Sequence, residues 1–82
     1  MLNEIVNNQS FNEALNNCNM NFTAIHDDVL FINDNTEERL YDWTMGDLLD
    51  YLIREHKNKL SWCDSLHLQE VLDELIQLRN NL

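Results

Sequence analysis

The chain has 82 residues, 15 acids against 5 bases and a formal charge of −10 at pH 7, with 44% hydrophobic residues. Such a length holds a single domain, residues 1–82, that buries roughly 60–65% of its unfolded surface. The apolar share excludes a disordered acidic tail, and the charge balance excludes direct binding to a phosphate backbone.

Leu2, Ile5 and Val6 predict one or two helical turns at the N-terminus. Ser10 and Glu13 have the spacing of a capping box, and Phe11, Ala14, Leu15 and Cys18 follow at i, i+3, i+4 and i+7, which predicts a second helix. The apolar phases of the two segments do not match, so a break is expected between Asn8 and Ser10. Residues 22–25 and 29–32 are β-prone runs joined by His26-Asp27-Asp28, a connection of hairpin length. A lone hairpin is marginal, so this one must pack on helices. Residues 33–36 read as a turn and 37–42 as a single helical turn with Leu40 and Tyr41 inward.

The next helix has a marked start: Thr44 as cap, Asp47 at the third helical position, and Trp43 with Leu48 as a hydrophobic staple. Met45, Leu48, Leu49 and Leu52 form its stripe, with Ile53 and His56 at the edge. Asp50–Arg54 and Glu55–Lys59 are favourable i, i+4 pairs. Residues 57–60 read as a connector, and a last helix runs from Ser61 or Asp64 to about Asn80. Its Leu68, Val71, Leu75, Leu78 and Leu82 alternate by three and four, broadened by Leu66, Leu72 and Ile76. The expected architecture is a small, helix-dominated α+β domain in the order α–β–β–α–α, with all-α as the alternative if residues 22–32 form a loop. The chain has thirteen Asn, no Pro and one Gly, so Asn and Asp must make most of its turns.

No basic leader and no apolar run of about 20 residues is present, which points to a cytoplasmic protein without a membrane segment. In a reducing compartment Cys18 and Cys63 are expected as free, partly buried thiols. The charge is uneven. The first base is Arg39, and residues 27–50 carry the eight acids Asp27, Asp28, Asp34, Glu37, Glu38, Asp42, Asp47 and Asp50, for a net charge of −7. Residues 51–82 carry a net charge of only −1. A concentrated field of one sign selects partners of the other, which makes these eight acids the candidate partner-binding band. Tyr41 and Trp62 are the candidate aromatic anchors beside it.

The leucine seam 68–82 is short for a coiled coil, so packing within the domain against residues 45–57 is the leading reading. A homodimer or helical adaptor built on that seam is the alternative. Cys63 and His67, with Cys18, His26 and His56 elsewhere, are zinc-type ligands, but a second close pair is missing and no metal or cofactor is expected. Asp64-Ser65-Leu66 resembles the phosphopantetheine-attachment triplet of acyl carrier proteins, which would imply a carrier serine at Ser65. Only 17 residues follow it, where that family places two further helices. No Gly-rich phosphate loop is possible with one glycine, and Ser65 and His67 do not face each other on a helix, so no catalysis is expected. The composite reading is a non-catalytic inhibitor or regulator that occupies a basic, nucleic-acid-binding surface of a partner protein. In size and charge alone the chain is similar to small acidic antagonists such as phage anti-CRISPR (DNA-mimic) and anti-restriction proteins and the immunity proteins of nuclease toxins.

Overall fold

Two short helices, α1 (Leu2–Val6) and α2 (Gln9–Asn17), open the described residues 2–82 of the computed structural model. They break at Asn7-Asn8, slightly ahead of the Asn8 to Ser10 stretch that the mismatched apolar phases predict. The cap of α2 is Asn8 rather than Ser10: its backbone is extended, and its side-chain oxygen accepts the Phe11 N–H at 3.0 Å. Asn caps as well as Ser, and the earlier start leaves Glu13 free to reach His67, 2.6 Å away across the domain. The helix ends on Asn19 at φ 57°, in the left-handed position that glycine more often takes.

A meander of three antiparallel strands follows, β1 (Met20–His26), β2 (Val29–Asp34) and β3 (Arg39–Thr44), in the order β1-β2-β3. The expected hairpin forms, and Asp27 and Asp28 turn it at φ 52° and 64°. Positive φ at both central residues is the sign pattern of a type I′ turn, which suits the twist of the strands but is normally made by Asn-Gly. Thr23 is skipped in the ladder as a bulge, and its hydroxyl donates to the Phe31 carbonyl at 2.7 Å. The bulge shifts the side-chain phase, so Phe22 pairs with Ile32 while Ile25 pairs with Leu30.

The third strand replaces the helical turn expected at 37–42. Residues 39–44 alternate, with Tyr41 and Trp43 half-buried and Leu40, Asp42 and Thr44 outward. Pairing them with β2 also satisfies a backbone edge that a two-stranded hairpin would leave open. Leu40, expected inward, is 55% exposed. In the loop before β3, the Asp34 carboxylate accepts the N–H groups of Thr36 and Glu37 at 2.9 and 3.3 Å, and Glu38 takes φ 53°.

Strand β3 runs into α3 (Met45–Leu60) with no intervening residue, and the Thr44 hydroxyl accepts the Asp47 N–H at 3.3 Å. Residues 57–60 are helical rather than a connector. Lys57 and Lys59 complement the helix dipole there, and Lys59 Nζ donates to the Asn17 carbonyl at 2.6 Å. The last helix, α4 (Leu66–Asn80), starts later than either expected position, because Ser65 is its cap and accepts the Leu68 N–H at 3.3 Å. Asp50 receives Arg79 Nε of α4 at 2.9 Å, while Arg54 lies 5.5 Å over the Tyr51 ring. The long-range pair ties two helices together, which the expected Asp50–Arg54 pair would not.

One core joins Phe11, Ala14 and Leu15 of α2, Leu30 and Ile32 of β2, Met45, Leu48, Leu49 and Leu52 of α3, and Val71 and Leu75 of α4. Val71, Leu72 and Leu75 are buried and α4 packs on α3 and α2, so the centre of the leucine seam is filled within one chain. Leu68 and Leu78 at its rim are half-buried and Leu82 is exposed. The opposite face of the sheet carries Ala24, Val29, Phe31, Leu40 and Asp42, none of them buried.

The one buried polar side chain among the described residues is His56, which is 0% exposed. The Asn17 amide nitrogen faces its Nε2 at 3.3 Å and the Leu52 carbonyl faces its Nδ1 at 2.8 Å. An amide donor opposite Nε2 requires the neutral tautomer with the proton on Nδ1, and burial lowers the pKa. The neutral ring therefore contributes stability above about pH 6.5, lost as pH falls through the lowered folded value. His67 is opposite in sign: its bond to Glu13 raises its pKa, so its contribution holds below the unfolded value and fades as pH rises through the folded one. Proton NMR titration should show His56 titrating below, and His67 above, the ordinary histidine value.

The strained hairpin turn gives a second expectation. Asp28→Gly, preferably with Asp27→Asn, should raise stability by about 0.5–1 kcal/mol in urea unfolding, because glycine occupies φ > 0 without penalty.

Candidate protein-binding surface

The fold divides the acidic band instead of leaving it as one strip. Asp27 and Asp28 sit exposed on the β1–β2 turn, whereas Asp34, Glu37 and Glu38 sit at the other end of β2. Six residues of strand hold the two groups roughly 20 Å apart. Between them Asp42 projects from the middle of β3, and Asp47, in the first turn of α3, lies beyond Thr44 at the end of β3 that pairs with Val29; both are exposed. Asp50 stands apart, because Arg79 occupies its carboxylate. The acids thus bracket β3 at both ends and line it in the middle.

The single base in this region is drawn into the strand itself. The Arg39 guanidinium lies 5.0 Å from the centre of the Tyr41 ring. The Tyr41 hydroxyl donates to Glu37, a bond that pushes the tyrosine pKa up and keeps the phenol protonated.

Alongside β3 runs an open groove of about 570 Å³ lined by Val29, Tyr41, Asp42, Trp43, Thr44 and Asp47. Within its wall Trp43 packs on Tyr51, ring centres 5.3 Å apart and planes tilted by 43°. Its indole N–H is buried without a hydrogen-bond partner. The chain sequence assigns Trp43 to a staple. The signal for its place in the groove is the period-two alternation of residues 39–44.

The two expected anchors are not brought together. Tyr41 borders the groove, but Trp62, 76% exposed, lies in the linker after α3. Sixteen helical residues separate that linker from β3, roughly 24 Å along the axis. The zinc-type residues are also dispersed. His56 uses both ring nitrogens internally, His67 pairs with Glu13, Cys63 is exposed, and burial of the Cys18 thiol raises its pKa. Among the described residues no three His, Cys, Asp or Glu side chains are placed to share a metal ion. Nor is any described helix long and apolar enough to cross a membrane.

The chain matches no protein-family model, no curated protein and no solved structure.

A buried donor without an acceptor costs about 1–3 kcal/mol. Trp43→Phe keeps an aromatic ring on Tyr51 and removes that donor, so its thermal midpoint should equal or exceed that of the parent chain. Trp43→Ala, which also empties the packing, should lose about 2 kcal/mol or more.

Proposed function

We propose that this protein is a non-catalytic inhibitor or regulator that binds a basic surface of another protein, one that otherwise holds nucleic acid. The observation that supports it is the placement of charge: Asp27, Asp28, Glu37, Glu38, Asp42 and Asp47 are all exposed around one small sheet, while the bases near it are each engaged with a ring, Arg39 with Tyr41 and Arg54 with Tyr51. Carboxylates set at both ends and along the middle of a strand present several negative charges at fixed separations. Lys and Arg side chains that neutralise phosphates can pair with them instead, and the inhibitor excludes nucleic acid by occupying the same cations. The half-buried aromatics of β3 supply the apolar contact that long-range charge does not. In this reading the resemblance to phage anti-defence and immunity proteins is one of strategy, carried by size and charge.

Long-range attraction between exposed charges is screened within about 8–10 Å at moderate salt, so such binding has a clear signature. Captured from nuclease-treated lysate of the source cell, the partner should be a basic protein released by added duplex DNA or RNA. Its affinity should fall at least tenfold between 50 and 300 mM salt, and again when Asp27, Asp28, Glu37 and Glu38 are replaced by Asn and Gln. Retention of the partner by the neutralised chain would overturn the proposal.

A further inference from the structure

We propose that the free edge of β3 accepts an extended, Lys- and Arg-bearing segment of the partner as a fourth strand. This deepens the functional reading above and rests on it for the sign of the partner's charge. The first ground is topological. In the order β1-β2-β3, strand β3 pairs on one side only, and its outer row of backbone N–H and C=O groups is a template for another strand. The second is the groove beside it, where Val29, Tyr41 and Trp43 give apolar side chains of an added strand a wall to cover.

Charge selects the occupant. A second copy of this chain would bring its own Asp42 and bracketing acids against the same set, and like charges facing each other across strands destabilise the pairing. A cationic segment meets Asp42 and Asp47 along the groove and the two acidic turns at its ends. The same test separates the two edges of the sheet. Strand β1 contains no acid along residues 20–26, and α2 packs against it more extensively than α3 does against β3. The surface therefore favours β3, and a segment of about six residues, roughly 20 Å, spans it.

The test uses the full chain, isotope-labelled, and a synthetic hexapeptide alternating Lys with Val. Two control peptides accompany it: one with Glu in place of Lys, and one fully N-methylated, which keeps the charge but lacks backbone N–H groups. The Lys peptide should slow amide exchange at the outward-facing N–H groups of residues 39–44 at least tenfold, without protecting residues 20–26, and both controls should fail to do so. Protection confined to β1, or binding that leaves the amides of β3 unprotected, overturns the added strand. Equal, salt-sensitive binding of the N-methylated peptide also overturns it and leaves the charge-based function standing. That function fails separately, when the chain neutralised at Asp27, Asp28, Glu37 and Glu38 still retains its partner.

Discussion

Thr44 is the residue on which the arrangement turns. It is the last residue of β3 and also the cap of α3, its hydroxyl accepting the Asp47 N–H at 3.3 Å. No loop intervenes to absorb a change of direction, so the sheet and the central helix are set relative to each other by one residue's backbone. That junction aims Met45, Leu48, Leu49 and Leu52 at Leu30 and Ile32, and it leaves Asp47 outside, beside Asp42 and the groove. The core and the candidate binding surface are two sides of the same joint.

The chemistry of the turns and the charge of the surface share a cause in composition. With one glycine in the chain, the left-handed positions among the described residues are filled by Asn19, Asp27, Asp28 and Glu38. Three of those four are acids, and they lie at the two ends of β2. Conformations that cost the fold some stability thus display carboxylates at the points furthest apart on the sheet.

Much of the architecture is legible in the chain. The stripes of α2, α3 and α4 are carried by Leu, Phe and Val at helical spacing, and the period finds the buried centre of each stripe, while Leu66, Leu68, Leu78 and Leu82 of the α4 seam remain half-buried or exposed. Helix ends are less legible, because Asn8 and Ser10, or Asp64 and Ser65, are equally good caps and distant partners choose between them. Glu13, for example, is needed by His67. Strand β3 is concealed by Glu37-Glu38-Arg39, which reads as the polar opening of a helical turn. Its stability comes from pairing with β2, a relation outside any local window. The acids can be counted in the sequence, but their division into two groups follows from the length of β2. Trp62 is exposed as its place between two helices suggests, yet the length of α3 sets it far from Tyr41.

The order of elements along the chain also shapes how the molecule assembles. The three strands are sequential neighbours joined by short turns, and α3 and α4 are consecutive helices, so most of the structure closes through short loops at low entropic cost. The long closures are those of α2, on α3 through Asn17 with Lys59 and His56 and, longest, on α4, where Asn8 donates to Glu74 at 3.2 Å and Glu13 meets His67. The contacts with α4 join opposite ends of the polypeptide. Closing this seam carries the largest loop-closure entropy in the fold. The two termini act as a clasp on a centre built around the sheet.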